Sequence, residues 1–246
     1  MIGLRTRISI AVSSGTLGLA LVAMPASAGT IDWTTWTTGV VSSTAGSASG
    51  TIPGLGGLSV SYTGEMEALN SAISWLPDTT FTGGTVSNAP PTAVGSPEAI
   101  QLIGGGTVVD TITFAAPVVD PILAIISLGQ GGITANFTFT PSEPFTIEGG
   151  GPSSNFGGSS IFTGSGCPVD AVCGEEGSGV VQFNGTFSSI TWTNPVAENY
   201  YAITFGAAGL AGSGVPEPSS MALLGAGVVG LIARLWKDRR SVAARL

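Results

Sequence analysis

The sequence predicts an all-β protein: a β-sandwich or jelly-roll-like exported domain with an N-terminal signal peptide on one side and a C-terminal transmembrane helix on the other. Three observations lead there. Residues 133–140 alternate strictly, with Ile133, Ala135, Phe137 and Phe139 on one face and Thr134, Asn136, Thr138 and Thr140 on the other. Period two with β-branched and aromatic residues is the signature of a half-buried strand. Residues 121–128 are apolar at both parities, through Ile122, Leu123, Ile125 and Ile126, which describes a central strand packed on both faces. Finally, 38 Gly and 15 Pro punctuate the 246 residues, and no helical periodicity runs longer than residues 65–76. Many short strands between Gly, Pro, Asn and Ser turns give a sandwich or jelly roll.

The elements follow in chain order. Residues 1–28 have Arg5 and Arg7 ahead of an apolar stretch, then Pro25 and the small residues Ala26, Ser27 and Ala28. This is a secretory signal peptide, cut by signal peptidase after Ala28, with Ala26 and Ala28 as the small cleavage-site residues. Residues 29–209 are long enough for one domain. Strands are expected at 58–63, 99–103, 108–114, 121–128, 133–140, 145–148 and 200–205. A hairpin is expected where Asn184-Gly185 separates residues 180–183 from 186–192, because Asn-Gly suits the left-handed two-residue turn. That hairpin would put Val181, Phe183, Ile190 and Trp192 on one face. Cys167 and Cys173 are the only cysteines; in an exported chain they are expected to form a disulfide that staples a short loop.

Charge is distributed in an extreme way. The formal net charge is −8, there is no His, and no Lys or Arg occurs between Arg7 and Arg234. A nucleic-acid partner is excluded, since phosphate recognition needs a basic surface. A Ser-His-Asp triad, a His-ligated metal and a Lys or His general base are excluded by residue type, so an enzyme is not expected. The domain holds 13 carboxylates and nothing to pair them with. Each must be solvated, satisfied by backbone N–H groups, or shared with a bound cation. Calcium suits the last role, and Asp170, Glu175 and Glu176, grouped around the Cys loop, are its candidate ligands; a solvated acidic loop is the competing reading. Trp33, Trp36 and Trp75 are candidates to stack on sugar rings, although core packing is the commoner use of such residues, and Trp192 is read as core.

The C-terminal region is a linker at 210–215, an extended Val215-Pro216-Glu217-Pro218, an apolar stretch within 219–236, a basic cluster of Arg234, Lys237, Arg239 and Arg240, and a tail at 241–246. The two prolines hold Glu217 extended, the shape a processing enzyme can grip. As a helix, residues 219–236 reach about 27 Å at ~1.5 Å per residue, just enough for a hydrocarbon core of ~30 Å. The basic cluster places the C-terminus in the cytoplasm and the domain outside the inner membrane.

This arrangement resembles the PEP-CTERM family. The resemblance rests on residues 216–240: Pro216, Glu217 and Pro218 as recognition motif, residues 221–233 as sorting helix, and Arg234 to Arg240 as basic stop, with Trp236, Lys237 and Asp238 interrupting the family's tight Arg run. It implies exosortase as partner, an inner-membrane intermediate, and then a cell-surface or extracellular product linked to exopolysaccharide and biofilm. The function expected is that of a structural protein of the surface or extracellular matrix. The alternatives are a calcium-assisted carbohydrate-binding module and a glycan hydrolase built on a carboxylate pair.

Overall fold

The computed structural model describes residues 30–92 and 98–211. Its strands, in chain order, are β1 (Asp32–Trp33), β2 (Thr35–Val40), β3 (Ser42–Ile52), β4 (Leu58–Met66), β5 (Ala68–Asn70), β6 (Ala99–Leu102), β7 (Asp110–Val119), β8 (Ile122–Leu128), β9 (Ala135–Phe139), β10 (Phe145–Gly151), β11 (Ser159–Ser160), β12 (Ala171–Gly174), β13 (Gly177–Phe183), β14 (Thr186–Thr193), β15 (Tyr201–Ala207) and β16 (Gly209–Leu210). No α-helix occurs among the described residues, and the expectation of an all-β fold holds. One sheet runs β10-β13-β8-β15-β6-β5, with β1 on β15 and β11 on β13; the other runs β12-β9-β14-β7-β4-β3-β2, with β16 on β7.

Alternating side chains build the wall between these sheets. In β4, Leu58, Val60 and Tyr62 are buried while Ser59, Ser61 and Thr63 face solvent. The inner faces of both sheets contribute to one apolar cluster. Phe139 and Phe183 meet edge-on at 4.9 Å between ring centres, and Phe205 lies 5.8 Å from Trp192. An edge-to-face contact such as Phe139–Phe183 adds about 0.5–1.5 kcal/mol beyond the area it buries. Trp36 of β2 crosses the interior and donates its indole N–H to Thr204 Oγ1 of β15 at 3.2 Å, joining the sheets with a polar contact inside the core.

A second apolar layer explains the doubly apolar β8. Its even-numbered residues Ile122, Ala124 and Ile126 pack outward against Ile73, Trp75, Phe81 and Val86, which come from the long segment between β5 and β6. That segment therefore roofs the outer face of the first sheet. Asn88 clamps it to the start of the domain: the side chain accepts from Ile31 N at 2.7 Å and donates to Ile31 O at 2.9 Å.

Several expectations need correction. Asn184-Gly185 does not close a hairpin, because β13 belongs to one sheet and β14 to the other. Asn184 N donates to Pro144 O, Asp120 N donates to Gly185 O, and Gly185 N donates to Asp120 Oδ1 at 2.7 Å. The turn's polar groups are thus taken up by neighbouring connections, and Asn184 is absent from the positive-φ residues that a left-handed two-residue turn would require. Val181 and Phe183 consequently face Ile190 and Trp192 across the core rather than lying beside them. Ile133 is 38 % exposed; it bridges to Gln130 in a turn, and the strand begins at Ala135. Residues 65–76, the longest stretch with helical periodicity, form the end of β4, β5 and an irregular stretch, in keeping with the all-β expectation. The strands β1 to β3, β5, β11, β12 and β16 have no counterpart among the expected strands.

The disulfide between Cys167 and Cys173 is present, with sequence separation 6, and ties the exposed 164–170 loop to β12. A loop this short implies a chain-entropy contribution of about 2 kcal/mol. Cys167→Ser is therefore expected to lower the midpoint of thermal unfolding by roughly 4–8 °C without abolishing folding, as read by circular dichroism. Trp36→Ala removes both a large core side chain and the polar bridge between sheets. Its expected cost is about 3–5 kcal/mol in chemical denaturation, with Trp36→Phe closer to the parent.

Candidate functional site

With no Lys, Arg or His in the domain, the buried acids can find only backbone and neutral side-chain donors; the fold supplies them to Glu65, to Asp110 Oδ1 and to Glu198 Oε1, while Asp110 Oδ2 and Glu198 Oε2 have no hydrogen-bond partner. Glu65 at the end of β4 accepts from Gly104 N at 2.7 Å, from the Tyr201 hydroxyl at 3.1 Å and from Asn194 Nδ2. Asp110, at the start of β7, accepts through Oδ1 from the Tyr62 hydroxyl at 2.6 Å and Glu65 N at 2.9 Å. Tyr62 and Asp110 belong to one sheet and Tyr201 to the other, so this acid–phenol–amide cluster bridges the sandwich. Gly64 makes room for it: with φ of 154°, its Cβ would lie 2.0 Å from Asp110 Oδ1.

The electrostatics follow from burial without a counter-charge. Desolvation pushes Asp110 up to about 7, opposed by its hydrogen bonds from Tyr62 and Glu65 N and reinforced by the Glu65 charge. Tyr62 and Tyr201 are pushed far above the ordinary phenol range, chiefly by desolvation, so both stay protonated donors. A second group lies at the turn between β8 and β9. Glu198 is 8 % exposed and accepts from Gly129 N at 2.8 Å through Oε1. Burial raises it to about 8, and the nearby Glu176 carboxylate adds to the effect. Glu176 in turn accepts from the Ser127 hydroxyl at 2.6 Å.

Other acids pin loops onto strands. Glu143 accepts from Thr140 N at 3.1 Å and Thr191 N at 2.9 Å, and Glu148 accepts from Thr85 N at 2.8 Å. A groove of about 480 Å³ beside the disulfide brings Glu143 near Asp170.

The acids Asp170, Glu175 and Glu176 are not gathered as one ligand set. Among the described residues no group of three or more His, Cys, Asp or Glu is placed to hold a metal ion. Asp170 is exposed at a φ of 57° in the Cys loop, Glu175 accepts from Gly132 N at 2.6 Å, and Glu176 turns to Ser127. Trp33, Trp36 and Trp75 are buried, which removes them as a sugar-stacking platform, and Trp192 is core as expected. Sequence reasoning counted Glu65, Asp110 and Glu198 among the thirteen acids but did not single them out. No spacing marks them, because their donors lie 39 to 136 residues away in the chain. The legible signal was the missing cations, which required such donors somewhere.

The signal-cleavage residues Ala26 and Ala28, the motif Val215 to Pro218, the helix at 219–236 and the basic residues Arg234, Lys237, Arg239 and Arg240 lie outside the described residues. Among the described residues no helix is long and apolar enough to cross a membrane. Residues 214–240 match the family model of the PEP-CTERM protein-sorting motif. The chain thus carries a PEP-CTERM protein-sorting motif near its C-terminus, which supports an exosortase-targeted surface protein. No curated protein and no solved structure matches it.

The Asp110 arrangement has a pH consequence. Its carboxyl keeps its proton in the folded state up to about 7 but ionises near 3.8 when unfolded. The folded state holds the extra proton in that window, so stability falls as pH rises from about 4 to about 7 and this contribution levels off above it. The loss is on the order of 2–4 kcal/mol. Asp110→Asn keeps the Oδ1 acceptor for Tyr62 and Glu65 N and cannot ionise. It is expected to flatten the dependence of unfolding free energy on pH across this window, measured by denaturant titration.

Proposed function

We propose that this chain is a non-catalytic structural protein of the cell surface or extracellular matrix, cut by exosortase at Pro216-Glu217-Pro218 and delivered to an exopolysaccharide or biofilm context. The observation that carries the reading is the sorting motif at 214–240 joined to a β-sandwich. The residue chemistry supports it: the buried carboxylates Glu65, Asp110 and Glu143 are engaged in holding loops and sheets together. A general acid or nucleophile has to present a carboxyl to substrate across a cleft, and these three side chains are turned to structural donors instead.

The sorting half of the reading rests on Pro216-Glu217-Pro218 and the apolar stretch after it. Glu217 is the one charged side chain between Glu198 and Arg234, which makes it the natural specificity handle for a membrane-embedded processing enzyme. Mass mapping of protein isolated from its native cells tests this. The expected mature chain ends within residues 215–218 and lacks the helix. Glu217→Ala is expected to reduce the processed fraction at least about tenfold, the factor that a loss of ~1.4 kcal/mol in recognition produces. A processed chain of unchanged abundance in that variant would contradict recognition through the motif.

A further inference from the structure

Two carboxylates that the sequence separates by 22 positions, Glu176 and Glu198, are both held at the end of β8 and the turn after it, Glu176 by the Ser127 hydroxyl and Glu198 by Gly129 N. Glu198 is more than nine-tenths buried, and its Oε2 has no hydrogen-bond partner, while Oε1 is held by Gly129 N. A buried carboxylate oxygen left without a donor costs free energy unless a proton or a cation completes it. Its charged neighbour is Glu176, half exposed at the surface and therefore reachable from solvent. Glu176 accepts from the Ser127 hydroxyl through Oε2. No residue between Arg7 and Arg234 can supply a positive charge to this pair.

The backbone around both attachment points is unusual. Ser127 and Glu176 are two of the four non-glycine residues with positive φ among the described residues, at 63° and 53°. Gly129 lets the turn sit directly on the strand that leads into Glu175-Glu176, since a Cβ there would come 2.1 Å from Gly174 O. Glu175 caps the far side of the same turn through Gly132 N. All the available donors are oxygens: two carboxylates and a serine hydroxyl. That is the donor chemistry of a hard cation, with water completing a shell of about six to eight.

We propose that Glu176 and Glu198, with the Ser127 hydroxyl between the chain segments, hold a hard divalent cation of the calcium class. The cation locks the β8–β9 turn to the β12–β13 loop and to the segment before β15, so that the domain reaches full stability once it is in a calcium-containing exterior. Asp170 takes no part. This inference is independent of the sorting reading, since it concerns the exported domain alone.

The test is calcium binding to the mature protein after stripping with a chelator, by isothermal titration and thermal unfolding, for the parent and three variants. The parent is expected to bind one calcium per chain with a dissociation constant of about 0.1–1 mM, and to gain roughly 3–6 °C in unfolding midpoint at ten times that concentration. Glu198→Gln and Glu176→Gln should each lose binding and the calcium-dependent gain, whereas Asp170→Asn should keep both. Absence of binding by the folded parent would overturn the proposal. So would binding that survives Glu198→Gln, or binding lost in Asp170→Asn, which would move the ion to the Cys loop. A Glu198→Gln variant that is more stable than the parent at every calcium concentration, in a parent indifferent to calcium, would mean that the pair shares a proton instead.

Discussion

The organisation of this domain depends on one constraint, a carboxylate inventory with no cation to pair it. In an ordinary protein a half-buried acid finds an Arg or Lys, and the pair is placed where two long side chains can meet. Here the donor has to be an amide N–H or a hydroxyl, and these are fixed to the chain. Several acids, buried or half-buried, therefore settle on a specific stretch of backbone. Glu65 selects Gly104 and reaches Asn194 and Tyr201; Asp120 selects Gly185; Glu143 selects Thr140 and Thr191; Glu148 selects Thr85. Loop positions follow from those choices. Such bonds have a charged acceptor, which makes them stronger than neutral ones, and they have no flexible cationic partner to lose to salt.

The same constraint explains why charge is tolerated inside the sandwich. Asp110 is fully buried, and desolvation raises it until it is largely protonated below neutral pH. Tyr62 and Tyr201 remain donors because their own ionisation is suppressed by the same burial. The cluster is thus a network of shared protons spanning two sheets, in place of an ion pair.

What the sequence made legible was local and periodic. β8 was readable because six of its seven residues are apolar and both of its faces are covered, one by the main core and one by Trp75, Phe81 and Val86. The alternation in β4 and β9 was equally direct. Pairing was not readable. From β7 onward successive strands mostly change sheet, so nearness in the chain says little about nearness in the fold, and Asn184-Gly185 became a crossing between sheets. β3 was invisible because Ser42 to Ile52 consists almost wholly of Ser, Thr, Ala and Gly; its strand character comes from pairing with β4 across the sheet and not from its own composition. The acid cluster was foreshadowed by charge arithmetic but could not be located, since its members come from β4, β7 and the segment before β15. The sorting segment was the reverse case: its meaning is written in residue order, and Pro216-Glu217-Pro218 followed by an apolar stretch and a basic cluster identifies it without any tertiary contact.

The most direct test of this account is a carboxyl titration of the protein by carbon-detected NMR, which follows each Asp and Glu separately. The account requires the Asp110 carboxyl to ionise near 7, far from its ordinary 3.8, while the Tyr62 hydroxyl stays protonated throughout. If every carboxyl instead ionised between about 3 and 5, as unperturbed Asp and Glu do, then Asp110 would be solvated and the network joining the two sheets would not exist.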